Sequence, residues 1–165
     1  MQQLQAEGFP VANWIDRVPQ LVGYGLPHAP IATDLAPCPI LLCSPMGGGW
    51  RASLAEKAAN LASHGFVVVV SDPCDAGVTV FPDGTYLKLP AASWPPRSDY
   101  LEDRVRDLAF ILDELTRWNA CDPLFAGRLD VTKVAALGTC SGFCCAAEFC
   151  RRDPRCQAAV LVACI

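Results

Sequence analysis

The sequence predicts an α/β domain: a mostly parallel sheet with flanking helices and one β-hairpin excursion. Three observations carry this. Short apolar runs of strand length, "PILLCS", "FVVVVS", "VTKVAALG" and "QAAVLVAC", recur along the chain. Segments with helical periodicity alternate with them, an order that implies a parallel sheet with helices on its faces. Glycine-rich turns follow two of the strands, at residues 45–50 and 138–142.

Residues 1–38 are rich in proline, glycine and polar residues, with no sustained period, and read as an arm with one short helix near Trp14. The domain proper spans 39–165. "PILLCS" (39–44) is its first strand and "MGGGW" the loop after it. "ASLAEKAANLASHG" (52–65) is a helix with Leu54, Ala58 and Leu61 on one face and Gly65 as its stop. "FVVVVS" (66–71), apolar on both faces, is a buried strand. "VTVFPDGTYLKL" (78–89) alternates around Pro82-Asp83-Gly84 and is a hairpin. "DYLEDRVRDLAFILDELTRW" (99–118) is the strongest helix, with Leu101, Val105, Leu108, Leu112 and Leu115 spaced by three and four. Strand 131–138, helix 143–152 and strand 157–164 complete the order.

Composition excludes several function classes. The 165 residues carry a net charge of −4 and no basic stripe, so nucleic acid is not an expected partner. No apolar run reaches the ~18 residues of a membrane span. "MQQLQAEGFPVANWIDR" has neither the basic nor the apolar region of a signal peptide, which points to the cytoplasm and reduced thiols. The ten cysteines include no C-x-x-C pair and only two histidines accompany them, so no structural metal is expected. Most of the cysteines read as small buried hydrophobes.

Chemistry is expected at the carboxyl ends of the strands. "GTCSG" (138–142), between a strand and a helix, has the context of a nucleophile elbow with Cys140 at the nucleophile position. The flanking glycines suit a tight, strained turn. The helix N-terminus behind it favours a thiolate. The same five residues also fit an ordinary strand-to-helix turn. The glycine loop "SPMGGGWR" (44–51) can aim backbone N–H groups at a developing oxyanion, or be a plain loop; it carries neither phosphate-binding glycine motif. His64 precedes a strand and is expected at the opposite sheet edge. His28 lies in the arm. Asp72 and Asp75 fall at the functional edge, as turn or capping residues or, for Asp72, to orient a base.

With these loops in place, the chain resembles the α/β-hydrolases and, more narrowly, the platelet-activating-factor acetylhydrolase family and related esterases. The stretches that carry this are "PILLCSPMGGGWR", "LASHGFVVVVSD", "VFPDGT", "RVRDLAFILDEL", "FAGRLDVTKVAALGTCSGFCCAAEFCRRDPR" and "AAVLVA", in family order over residues 39–165. The resemblance implies a partial α/β-hydrolase fold with Cys140 as nucleophile and the Gly47 and Ser141 N–H groups as oxyanion hole. It implies hydrolysis of a small acyl ester, short or oxidised, without cofactor or metal. The family nucleophile is Ser, and here it is Cys. The family acid falls at about Ala163, where there is no carboxylate, and the family histidine falls beyond Ile165. A weak or inactive esterase is therefore one expectation. A pseudoenzyme that binds a ligand or partner is another, and a redox thiol resolved by Cys144 or Cys145 a third. The sheet ends on an apolar strand whose unfinished edge predicts self-association.

Overall fold

The computed structural model describes Gly25, Ala29, Ala32 and residues 37–73, 76–81, 83, 85–88 and 97–163. Four parallel strands form the sheet: β1 (Cys38–Ser44), β2 (Val67–Val70), β5 (Leu129–Thr139) and β6 (Cys156–Val162), in spatial order β2-β1-β5-β6. β3 (Val78–Val80) and β4 (Tyr86–Lys88) form a separate antiparallel hairpin. At its tip the Asp83 carboxylate accepts from the Thr85 N–H at 2.9 Å and the Thr85 hydroxyl at 2.7 Å. Pro82 and Gly84 of the expected turn, the arm's short helix, His28 and Asp75 lie outside the described residues.

β1 alternates between two cores. Ile40 and Leu42 face Val105, Leu108, Leu112 and Leu115 of α2 (Arg97–Cys121) and Ala146 and Phe149 of α3 (Gly142–Arg152). Leu41 and Cys43 face the other way, against Leu54 and Leu61. Those two residues belong to a 3-10 turn (Arg51–Leu54) that runs into α1 (Ala55–Ser63). The apolar spacing read in the sequence is thus the packing face of each helix, and the parallel strand between them is buried on both faces. Gly65 ends α1 with φ +89°, a conformation that side chains resist.

Two expectations change. Val67–Val70 is half-buried, because β2 pairs only with β1 and lies at the edge of the described sheet. α2 begins at Arg97, two residues before the expected Asp99, and runs on to Cys121.

β6 lies at the other edge. Beyond Cys156 every residue of this strand is exposed, with Val160 at 49%, Leu161 at 49% and Val162 at 44%. Among the described residues no helix is long and apolar enough to cross a membrane.

Candidate active site

β1 and β5 end side by side, with Ser44 paired to Gly138, so the loops that follow them meet. After β5 the chain reverses through Cys140 and Ser141 into α3. Cys140 has φ +52° and is the single non-glycine residue with positive φ among the described residues. That conformation costs a side-chain-bearing residue about 1–2 kcal/mol and persists only where its surroundings enforce it. Here they do. The Cys140 N–H donates to the Val162 carbonyl of β6 at 2.8 Å, and the Cys140 carbonyl accepts from the Phe143 N–H at 3.0 Å.

The two glycines are steric requirements. A Cβ on Gly138 would stand 2.2 Å from the Gly142 carbonyl oxygen. One on Gly142 would stand 2.2 Å from the Ser44 oxygen and 2.6 Å from the Pro45 oxygen. The elbow is packed backbone to backbone against the end of β1.

The loop of residues 45–50 is held at several points. Gly48 makes a parallel bridge with Ala76 and accepts from the Gly77 N–H at 3.0 Å. The Gly49 N–H donates to the Met46 carbonyl at 2.8 Å. From below, Arg104 of α2 is 2% exposed and reaches the loop with its guanidinium. Its Nη1 donates to the Pro45 carbonyl at 2.6 Å and the Ser44 hydroxyl at 3.3 Å, and its Nη2 to the Met46 carbonyl at 3.3 Å. The guanidinium also lies 5.5 Å from the centre of the Tyr100 ring, one turn back on the same helix. Burial pushes the nearby Asp107 carboxyl up and Asp103 pushes it further, while Arg104 opposes both.

Arg104 was missed in the sequence, where it is one charge among several on α2. The available signal was its position, three residues after Leu101 and four before Leu108, on the buried stripe. Substitution Arg104→Met leaves the loop carbonyls without the charged fork, a loss of about 2 kcal/mol, read from the urea midpoint. Arg104→Lys restores little of it, because one ammonium cannot reproduce the planar fork.

Gly47 and Ser141 do meet. The Gly47 N–H points at the elbow and donates to Ser141 Oγ at 2.5 Å. Ser141 is also the N-cap residue of α3, yet its hydroxyl makes no capping bond there. Asp72 ends β2 as a capping residue: it accepts from the Arg51 N–H at 2.6 Å and forms an ion pair with the Arg51 side chain. It orients no base. His64 caps the C-terminus of α1 at the amino-end edge of the sheet, with Nδ1 at 2.8 Å from the Asn60 carbonyl, as its position before β2 predicts.

Cys43, Cys121, Cys140, Cys150 and Cys156 are free thiols. Burial pushes the Cys43 thiol up to about 11. Burial first, and then its neighbour Cys150, push Cys156 up to about 12. Both are protonated at neutral pH and hence poor nucleophiles. Cys121 is exposed and Cys140 half-exposed. Brief treatment with iodoacetamide at neutral pH should label Cys121 and Cys140 in the folded protein and reach Cys43 and Cys156 only on unfolding, as read by peptide mass spectrometry.

A strand, a strained turn flanked by glycines and a helix, faced by a pinned glycine loop, make this an ester-hydrolase-like α/β fold. Solved structures share it. A ferulic acid esterase from Streptomyces cinnamoneus superposes with a TM-score of 0.65 at 30% identity, over 75% of this chain and 36% of that chain. DcsB, solved in complex with its substrate analogue, superposes with a TM-score of 0.51 at 20% identity, over 74% of this chain and 36% of its own, which bears on the fold alone. The chain thus spans about a third of the length of these two structures. No family profile matches the sequence, and no curated protein matches it either.

Proposed function

We propose that this chain is an acyl-accepting domain of the carboxylic-ester hydrolase type, in which Cys140 takes the acyl group from a small ester. The observation that carries the reading is Cys140 itself, a non-glycine residue held at φ +52° between two glycines that admit no side chain. Backbone strain of this kind collects at functional sites.

The step is acyl transfer. The Cys140 thiolate, its proton released to solvent, attacks the ester carbonyl. A C–S bond forms as the carbonyl π pair moves onto oxygen. The Ser141 N–H, at the start of α3, and the Gly47 N–H across the gap stabilise that oxyanion. Collapse breaks the C–O bond, expels the alcoholate and leaves a thioester on Cys140. No cofactor or metal takes part. Of the two histidines, His64 is at the far sheet edge, so the described residues bring no imidazole to activate water. With the described residues alone, deacylation is slow and the activity is that of a weak hydrolase. Short acyl groups, as in the acetylhydrolase resemblance, and feruloyl esters, as in the Streptomyces neighbour, are the substrate classes to try.

The exposed apolar residues of β6 favour a second role, partner binding or self-association through the strand edge. Light scattering across a concentration series reads it: a concentration-independent monomer rejects self-association.

The acyl-transfer reading is tested with p-nitrophenyl acetate and peptide mass spectrometry, with Cys140→Ala as control. It expects a stable acetyl group on Cys140 and little elsewhere. Acetylation spread over many cysteines at a rate Cys140→Ala leaves unchanged would mean that no acyl-transfer site is assembled.

A further inference from the structure

We infer that the Ser141 hydroxyl is an internal gate on this site, occupying the Gly47 donor that an ester's carbonyl oxygen must claim. The inference rests on the acyl-transfer reading and adds a residue that sets its rate.

Three observations converge on Ser141. Its Oγ accepts the Gly47 N–H at 2.5 Å, across 94 residues of sequence, so the bond joins the two loops of the site directly. Serine at an N-cap ordinarily turns its hydroxyl onto the free amides of its own helix. Here φ −62° and ψ −23° place its backbone already in the helical region, and the hydroxyl makes no such bond. The third is the fixed position of both partners. Gly48 and Gly49 tie the loop beside Gly47 to Gly77 and Met46, and Arg104 holds the Pro45 and Met46 carbonyls. Gly142, next to Ser141, is packed against the Ser44 and Pro45 carbonyls. Both loops are held by these contacts, and the Gly47 N–H is engaged by Ser141 Oγ.

An N–H donates one strong bond. An ester oxygen that becomes an oxyanion at this amide therefore displaces Ser141 Oγ, and the bond lost is subtracted from the stabilisation gained. The hydroxyl is a side-chain group, and χ1 rotation can carry it away without moving the backbone. Ser141→Ala removes the competing acceptor and keeps both N–H donors. Because the competition acts only where an oxyanion develops, it slows acyl transfer and leaves thiol alkylation alone.

The test compares acetylation of Cys140 by p-nitrophenyl acetate with its alkylation by iodoacetamide in the full chain, in Ser141→Ala and in Ser141→Thr, which retains a hydroxyl. Amide hydrogen exchange at Gly47 is followed in each. The expected result is acetylation about three- to ten-fold faster in Ser141→Ala, with the ratio to alkylation rising by the same factor. In Ser141→Thr, whose hydroxyl can still accept the Gly47 N–H, the ratio rises less than in Ser141→Ala, and Gly47 exchanges fastest in Ser141→Ala. Acetylation of Cys140 at an equal or lower ratio in Ser141→Ala overturns the gate while leaving acyl transfer intact. If Cys140 accepts no acetyl group in any of the three proteins, the acyl-transfer reading falls and the gate with it, whatever Gly47 exchange shows.

Discussion

Gly142→Ala is expected to prevent the native fold from forming. The added methyl would sit 2.2 Å from the Ser44 oxygen, 2.6 Å from the Pro45 oxygen and 2.9 Å from the Ser44 carbonyl carbon. All three are backbone atoms at the end of β1, the strand that faces both cores, so no side chain can swing aside to relieve the clash. Relief requires α3 to lift off the sheet, and α3 carries Phe149, which is fully buried against α2. The loss should exceed about 4 kcal/mol, the range of severe overpacking and strain, a large part of the stability of a domain this size. Gly127→Ala is the matched control. It has φ +70° but nothing within 4 Å of its Cβ position, so it costs only the left-handed backbone strain, about 1–2 kcal/mol. Circular dichroism and urea unfolding of the two variants separate crowding from conformation. Equal, modest losses would mean that the elbow is looser than its packing indicates.

Cys140→Gly is expected to move stability and activity in opposite directions. Glycine adopts φ +52° without penalty, so the variant should gain about 1 kcal/mol, an estimate from left-handed strain less the larger entropy of an unfolded glycine. It should lose acyl transfer to position 140 completely. A residue retained at the expense of stability, in a turn glycine would fill more comfortably, is what a reactive position looks like. Cys140→Gly that is no more stable than the native chain would indicate that the turn is relaxed and that the thiol sits there without strain.

Much of this was readable from sequence, for identifiable reasons. The tight turn was legible because its requirements are local: an apolar strand, two glycines spaced around Cys140 and a helix. The α2 face was legible because Val105, Leu108, Leu112 and Leu115 repeat with the helix period and are all buried. His64 and Asp72 were placed correctly because strand direction alone decides which sheet edge a flanking residue occupies. What could not be read depends on distant pairings. Val67–Val70 has the composition of a central strand, but its burial is set by how many neighbours the sheet supplies, and among the described strands β2 has one. Arg104 stands among other charges, and only its reach to the Ser44 hydroxyl and the Pro45 and Met46 carbonyls shows why that charge is buried. The Ser141–Gly47 bond spans 94 residues and depends on one rotamer, so the pattern that makes both residues site candidates says nothing of their contact.

The most direct test of Cys140 as an acyl acceptor is burst stoichiometry with excess p-nitrophenyl acetate, followed by intact mass. The account predicts a burst of close to one p-nitrophenolate per chain, one retained acetyl group, a slow phase set by thioester hydrolysis and no burst from Cys140→Gly. Release without a burst, with an unmodified chain mass or with the same course in Cys140→Gly, would contradict it.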